Sequence, residues 1–355
     1  MWAGFAGYLG FLAAAPALGR RFVWGAILVL ATGFAFAPVL LSHDVYSYVD
    51  YARLGVRHGL DPYVHPPLAA PQDPAYAEVT WTEATSAYGP LFTLATYPLA
   101  WLPVGTAVAV LKAVAALSVL GLAAIVSRIA AWRGLDPLRA AAFVALNPLV
   151  LVHVVGGAHN DGLTMLLAML AVAAILSARE LSGGIALVAA IATKTSAAIL
   201  APFALLGTGR KRPVGRLLGG VLGAALAIAV AANLAFGWDW LHGFGLAGEN
   251  QSRTSHMSIP ITTARLTGLD PDAVRLVAAG LFAAAIVSLL AWTWRGGDWV
   301  RAAAWATLAL LLATSWLLPW YLVWLLPLAA ICRDRPLQLL TLALTAYQLG
   351  ARIPL

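Results

Sequence analysis

The stretch VGRLLGGVLGAALAIAVAANLAF, residues 214–236, decides the fold class, because it is apolar along its length and contains a single charged residue, Arg216. A helix of about 20 apolar residues spans the hydrocarbon core of a bilayer. Several other stretches are of this kind, and over all 355 residues 61% are hydrophobic and 10% are charged. A soluble domain would be roughly a quarter charged. The sequence therefore predicts an all-α polytopic membrane protein.

The apolar stretches divide the chain into candidate membrane spans. These are 2–18, 22–41, 91–127, 138–156, 162–178, 214–236, 274–294, 302–316, 318–332 and 336–350. The first has no basic region before it, so it is read as a retained span and not as a cleaved signal peptide. The segment 182–207 is too long for one span and too short for two, and Lys194 interrupts it, so a broken or re-entrant hairpin is expected there. The whole chain, 1–355, is predicted to form a single domain.

The charges predict the orientation in the membrane. The net charge of +7 would suggest nucleic acid in a soluble protein, but here the positive-inside rule accounts for it. If the Arg20–Arg21 loop is cytoplasmic, most basic residues fall inside, Arg210, Lys211 and Arg212 among them, and few fall outside, Arg352 among them. Most carboxylates and the two long loops, 42–90 and 237–273, then lie outside. The single cysteine, Cys332, excludes intramolecular disulfides.

The loop LLSHDVYSYVDYARLGVRHGLDPY, residues 40–63, concentrates polar groups at the end of an apolar span. Apolar residues recur at helical spacing from Val45 to Val56, and Gly59 is a natural stop, so an amphipathic surface helix is expected. Asp44 stands at its start, either as a helix N-cap or as a functional carboxylate at the mouth of a span.

The same loop also carries a group of cations and a group of tyrosines. Arg53, Arg57 and His58 suit a phosphate group, because arginine forms forked hydrogen bonds to phosphate oxygens. Tyr46 and Tyr48 are interfacial aromatics or residues that pack on sugar rings.

Two polar groups elsewhere interrupt the apolar sequence. His159, Asn160 and Asp161 either begin the returning helix as N-caps or bind sugar hydroxyls. This cluster could also hold a divalent cation, Mg²⁺ or Mn²⁺, but it supplies too few oxygen ligands for a metal site to be assigned. Lys194 is costly in an apolar hairpin unless it is paired, and it would meet either a donor phosphate or a loop carboxylate.

Five motifs appear along the chain in a fixed order: SHDVYSYVDYARLGVRHGLDPY (42–63), SAYGPLF (86–92), NPLVLVHVVGGAHNDGL (147–163), TKTSA (193–197) and PWYLVWLLPLAA (319–330). Together they resemble the polyprenol-phosphate-mannose-dependent mannosyltransferases of actinobacteria, which are membrane glycosyltransferases of the C class (GT-C). The chain departs from the family pattern at Ala52, where a glycine before the arginine is usual.

The resemblance implies a GT-C-like bundle of about 10–12 transmembrane helices. It also implies a polyprenyl-phosphate sugar as donor, mannose as the sugar, and a glycolipid or polysaccharide acceptor in the cell envelope, with Asp44 as the catalytic base. The donor phosphate would be bound by Arg53, Arg57, His58 and Lys194. The sugar- and acceptor-binding residues would be Tyr46, Tyr48, Tyr63, Tyr88, His159, Asn160, Asp161, Arg253, His256, Trp320 and Tyr321.

The expected chemistry is a transfer on the outer face of the plasma membrane. One base without a separate nucleophile implies a single displacement with inversion at the sugar carbon. The alternative is a flippase for lipid-linked sugars or another transporter, which would explain the broken hairpin but not polar groups concentrated on one face. A non-catalytic scaffold would be insensitive to a change at Asp44.

Overall fold

The computed structural model describes residues 2–209, 213–249 and 252–350. Within these ranges the chain forms helices and no strands, which confirms the all-α prediction. Arg210, Lys211, Arg212 and Arg352, which entered the charge prediction, lie outside the described residues. The helices are α1 (Trp2–Ala14), α2 (Arg20–Phe36), α3 (Asp44–His58), α4 (Pro90–Thr96), α5 (Val104–Trp132), α6 (Pro137–Ala145), α7 (Asp161–Leu176), α8 (Glu180–Thr193), α9 (Leu200–Gly209), α10 (Gly215–Phe236), α11 (His242–Glu249), α12 (Ile259–Thr267), α13 (Pro271–Trp294), α14 (Trp299–Ala313), α15 (Leu322–Ala330) and α16 (Arg335–Gly350).

Three helices of the described chain, α5, α10 and α13, are long and apolar enough to cross a membrane. A fourth span results if α6 and the π-helical turn after it count together, although they are bent by 63°. Six other apolar helices are 10–17 residues long, which is shorter than the roughly 20 residues of a straight span. The chain is thus polytopic, as predicted, but many of its apolar helices are short or broken.

The predicted span 91–127 is divided in the structure. α4 and the 3₁₀ turn Tyr97–Trp101 precede α5, which runs on to Trp132. Proline lacks an N–H and clashes with the preceding turn, so Pro98 and Pro103 separate these pieces. The division places Trp101 just before the first turn of a membrane-spanning helix.

The amphipathic helix predicted after Asp44 is confirmed as α3. It ends at His58, and Gly59 adopts a left-handed conformation with φ of 66°, which glycine tolerates best. The N-cap interpretation of Asp44 is wrong, because His43 occupies the N-cap position and Asp44 is the first helical residue, whose N–H donates to the Oγ of Ser42. Asn160 occupies the N-cap position of α7, as predicted, but its side chain makes no capping hydrogen bond, and Asp161 is the first residue of the helix.

The segment 182–207 covers most of α8, a break and α9. Lys194 is extended at the break, and the 3₁₀ turn Thr195–Ile199 follows it. Two close contacts fix this segment. Gly89 donates its backbone N–H to the carbonyl oxygen of Thr193 over 3.2 Å, and Gly184 packs so closely on the backbone of α10 that a side chain there would clash with Leu217. The break is therefore held against the loop that follows α3.

Candidate active site

A cavity of about 540 Å³ opens where four segments meet. They are the first turns of α3, the loop 81–88, the break at Lys194 and the segment 314–324, and residues of α11 and the loop after it close one side. The charged residues among the described lining are Asp44, Glu83, Lys194 and Arg253. Because these segments are far apart in sequence, tertiary packing and not local sequence builds the cavity.

Asp44 reaches this cavity from the first residue of α3. Its Oδ1 accepts a hydrogen bond from the indole nitrogen of Trp81 over 3.1 Å, and its Oδ2 lies 3.7 Å from Nδ1 of His159. Burial raises the pKa of Asp44, and the bond from Trp81 and the charge of Lys194 offset this only in part. A carboxylate with a raised pKa that faces a cavity is suited to accept a proton.

Lys194 faces Asp44 from the break between α8 and α9. Its ammonium group lies 2.8 Å from both carboxylate oxygens of Asp161, which is fully buried and also accepts a hydrogen bond from the indole of Trp324 over 2.6 Å. The rings of Tyr321 and Trp324 stack on each other beside the ammonium group. The ion pair with a carboxylate, one of the two alternatives for Lys194, is therefore present, and the side chain still lines the cavity.

An aromatic wall, consisting of Trp81, Trp316 and Trp320, encloses the cavity. The guanidinium of Arg253 lies over the first two rings, 5.5 Å from the centre of Trp81 and 6.0 Å from that of Trp316. Trp320 stacks on His159 with the ring centres 3.9 Å apart. Aromatic faces of this kind, with an arginine over them, suit a ligand that combines apolar and polar surfaces.

Of the four tyrosines of the first long loop that were predicted to bind substrate, one lines the cavity and three do not. Tyr88 lines the cavity, and Tyr48 is buried behind it with the two rings edge to face at 4.7 Å. Tyr46 packs on the ring of His43 outside the cavity lining. Tyr63 belongs to a separate aromatic cluster with Phe236, where its hydroxyl is bonded within the protein. Tyr48 and Tyr63 thus pack inside the protein and do not line the cavity.

Three of the four residues predicted to bind the donor phosphate do not line the cavity. Arg53 and His58 both bind Asp73, and the Nε of Arg57 donates to the carbonyl oxygen of Ala100 over 2.7 Å. These residues line a second, open depression. At about 1.5 Å per residue, α3 carries Arg57 about 20 Å from Asp44, so a phosphate beside Asp44 is out of its reach.

Other predicted site residues take different positions. Asn160 is buried without a hydrogen bond from its side chain within the described residues, and His256 is exposed outside the lining. No group of three or more metal-ligating residues is present in the described ranges. Since Lys194 and Trp324 occupy the carboxylate of Asp161, the His159–Asp161 cluster does not fit a divalent cation.

Several lining residues were not predicted from the sequence, among them Trp81, Trp316, Trp324, Ser47 and Glu83. Trp81 gave one usable signal, since a tryptophan in a polar loop far from any span is unusual for an interfacial belt. Trp316 and Trp324 lie among apolar residues, where a tryptophan is ordinary.

Comparison with known proteins identifies relatives that cover most of the chain. The profile of a family described as alpha-(1→6)-mannopyranosyltransferase, N-terminal domain, matches residues 2–210. Alpha-(1→6)-mannopyranosyltransferase A of Mycobacterium tuberculosis is 31% identical over 361 residues, which cover 88% of this chain and 67% of the relative. The protein of the same name from Corynebacterium glutamicum is 33% identical over 174 residues, or 47% of this chain and 35% of the relative. The chain thus spans part of the length of these relatives. No solved structure matches it significantly.

Proposed function

Since the chain belongs to the alpha-(1→6)-mannopyranosyltransferase family, we propose that it is a membrane enzyme that transfers mannose from a polyprenyl-phosphate donor to an acceptor hydroxyl. The observation that carries the proposal is the cavity, in which one carboxylate with a raised pKa, Asp44, faces a lysine across aromatic walls. The acceptor is a glycolipid or polysaccharide of the cell envelope, and the cavity faces the outer side of the plasma membrane. The distribution of basic residues supports that orientation.

The donor occupies the cavity with its sugar between the aromatic side chains and its phosphate beside a cation. Lys194 and Arg253 are the cations of the described lining. Leu246, Leu310 and Leu318 give the cavity an apolar side, which suits the first isoprenoid units of the lipid. The predicted phosphate role is therefore proposed here for Lys194 together with Arg253, and not for the three cations at the far end of α3.

The reaction is a single displacement. Asp44 accepts the proton of the acceptor hydroxyl as its oxygen forms a bond to the anomeric carbon of mannose. The bond from that carbon to the phosphate oxygen breaks, and the polyprenyl phosphate leaves with the electron pair. Lys194 stabilises the charge that develops on this leaving group, an electrostatic contribution that is commonly large in catalysis. Inversion converts a β-linked donor into an α-linked product.

Two contacts orient the carboxylate of Asp44 for this role. The indole N–H of Trp81 holds Oδ1, and Oδ2 is directed towards His159 at 3.7 Å. Lys194 is bound to Asp161 and therefore does not neutralise Asp44 directly. A carboxylate in a direct ion pair with a lysine is a weaker base. Because Lys194 pairs with Asp161 instead, Asp44 remains the stronger base.

The test is the variant Asp44→Asn with Glu78→Gln as its matched control, because Glu78 is an exposed carboxylate of the same loop. Both proteins are purified in detergent and assayed with labelled polyprenyl-phosphate mannose and envelope glycolipids. Asp44→Asn should bind the donor but transfer at least about a hundredfold more slowly, as expected for loss of a general base. The control should transfer normally.

This assay also separates the enzyme from a transporter, since detergent solution has no second compartment and a new glycosidic bond requires catalysis. Near-normal transfer by Asp44→Asn would contradict the assigned base. The absence of transfer by the wild-type protein with every acceptor tested would contradict the proposed function.

A further inference from the structure

We propose that the depression at the C-terminal end of α3 binds the phosphate of an anionic lipid headgroup, at a site separate from the cavity. This open depression has a volume of about 480 Å³ and is lined by Arg53, Val56, Arg57, His58, Gln72, Asp73, Pro74 and Trp101. The residues of this depression take no part in the proposed reaction.

The position of Trp101 indicates that the depression lies at the level of the membrane surface. Trp101 ends the turn that precedes α5, one of the three membrane-spanning helices, and its side chain is 68% exposed. Tryptophan at the end of a span sits among lipid headgroups, where its ring is apolar and its N–H is polar. The guanidinium of Arg57 lies over this ring, 5.6 Å from its centre. A cation is thus held at the depth where lipid phosphates are found.

Arg57 is fixed in place but still has donors to offer. Its Nε donates to the carbonyl oxygen of Ala100 over 2.7 Å, and the side chain is exposed. Its two terminal nitrogens make no hydrogen bond within the described residues. A guanidinium presents its donors in a planar fork that matches two oxygens of a phosphate. Because one side of the fork is already anchored, little side-chain freedom remains to be lost on binding.

The carboxylate in the depression does not compete for Arg57. One oxygen of Asp73 binds the Nε of Arg53 at 2.6 Å, and the other binds the imidazole of His58 at 2.8 Å. Its side chain is almost fully buried, so its charge is directed into the protein. Asp73 therefore compensates the buried Arg53 and orients His58, while Arg57 keeps an uncompensated charge on the open side. This arrangement favours an anion that arrives from the membrane.

The chain contains a matched control at the other end of α5. The guanidinium of Arg128 lies over Trp132 at 5.0 Å, and both side chains are exposed, so this pair repeats the arrangement of Arg57 and Trp101. It is far from Arg53, His58 and Asp73, because α5 is about 40 Å long. If any interfacial arginine over a tryptophan binds anionic lipid, the two pairs will behave alike. If the built depression is required, they will differ.

The experiment measures lipid binding to the full-length protein in neutral detergent by native mass spectrometry. Dioleoylphosphatidylglycerol is the probe, and dioleoylphosphatidylcholine is the zwitterionic reference. Arg57→Ala should raise the apparent Kd for phosphatidylglycerol roughly tenfold, the loss expected for one charge-assisted pair of hydrogen bonds. Arg128→Ala should leave it unchanged.

Arg57→Gln accompanies Arg57→Ala, because glutamine can still donate to Ala100 and keeps the test valid if the alanine variant unfolds. Equal losses in the Arg57 and Arg128 variants, or no loss in the folded Arg57 variants, would overturn the proposal. Inorganic phosphate is added in a parallel titration. Displacement of the lipid by an equal concentration of inorganic phosphate would show that the site takes free phosphate, and would overturn the assignment to a lipid headgroup.

Discussion

Two aspartates near the two ends of α3, the partly buried Asp44 and the buried Asp73, show opposite uses of a carboxylate. Asp44 faces the cavity, has a neutral indole as its hydrogen-bonding side-chain partner, and has a raised pKa. Burial alone would raise the pKa of Asp73 too, but hydrogen bonds from Arg53, the backbone of Ala75 and His58 hold it below its usual range. One carboxylate is thus kept basic and the other is kept ionised. The partners, and not the burial, decide which role a carboxylate takes.

The comparison predicts that Asp73→Asn damages stability much more than it damages chemistry. It would leave the buried Arg53 without its counter-ion, and such losses cost about 3–5 kcal/mol in free energy of unfolding. The midpoint of thermal unfolding in detergent measures the effect, with the exposed Glu78→Gln as control. Transfer per folded molecule should remain close to wild type. A stable Asp73→Asn protein with lost transfer would reverse the roles of the two carboxylates.

Lys194→Ala is expected to have the next largest effect. Loss of a cation that stabilises a developing charge lowers turnover by roughly a hundredfold, or about 2.7 kcal/mol. Steady-state kinetics with increasing donor should show a lower kcat and a higher KM for the donor. Lys194→Arg should recover part of the loss, and Arg265→Ala, an exposed charge on α12, should have no effect.

The Lys194 variant also leaves Asp161 buried without its cation. The double variant Lys194→Ala, Asp161→Asn removes this cost and should unfold at nearly the wild-type temperature, yet stay slow. Full recovery of turnover in the double variant would show that Lys194 acts only as a structural partner of Asp161.

Asp50 extends the comparison, because it is the second carboxylate of α3 and has neither an indole nor a cation as a hydrogen-bonding partner. Its side chain is 1% exposed, and its two oxygens make no hydrogen bond within the described residues. Burial, and to a smaller extent the charge of Asp73, raise the pKa of Asp50 to about 7. When folding raises the pKa of a carboxyl group, the folded state is most stable at a pH below the pKa of the unfolded chain. This stability is lost as the pH rises through the pKa of the folded state.

Asp50→Asn should therefore stabilise the protein at pH 8 by about 2 kcal/mol and by much less at pH 5, where the wild-type carboxyl is already protonated. Thermal unfolding at the two pH values measures this difference. Asp61→Asn, another carboxylate of the same loop, should show a smaller dependence on pH, because Asp61 is partly exposed and accepts a hydrogen bond from the backbone of Tyr63. Destabilisation of Asp50→Asn at pH 8 would contradict the expectation.

Sequence reasoning found what depends on local patterns and missed what depends on packing. Helix α3 was predictable because helical spacing and Gly59 are local signals, and the break at Lys194 was predictable because a lysine is costly in an apolar segment. The sequence-based prediction placed Arg53, Arg57 and His58 at a donor phosphate beside Asp44, because these residues are close to Asp44 in sequence. A straight helix instead separates its two ends, so sequence neighbours serve two sites.

The partner of Asp44 could not be predicted for the opposite reason. Trp81 lies 37 residues from Asp44, and only the packing of the loop against α3 brings its indole to the carboxylate. The pairing of Lys194 with Asp161, 33 residues away, likewise depends on how the break packs against the start of α7. The sequence indicated that Lys194 needs a partner but did not identify it.

The variant with the smallest expected effect removes the hydrogen bond from Trp81, which distinguishes Asp44 from Asp73. Trp81→Phe keeps an aromatic ring in the wall but removes the N–H that donates to Asp44. This bond lowers the pKa of Asp44, so its loss should raise that pKa further. The base would then be ionised only at higher pH, and the acidic limb of the kcat/KM profile should move up by roughly half a pH unit, or about 0.7 kcal/mol.

The control for this shift is Trp316→Phe, which alters the same aromatic wall without touching Asp44. Both variants change the packing under Arg253, so both should raise the KM for substrates, but only Trp81→Phe should displace the acidic limb. At a pH well above the limb, kcat of Trp81→Phe should approach the wild-type value, because Asp44 itself is intact. Equal displacement in both variants, or none in either, would show that Trp81 is only part of the wall and that another group sets the basicity of Asp44.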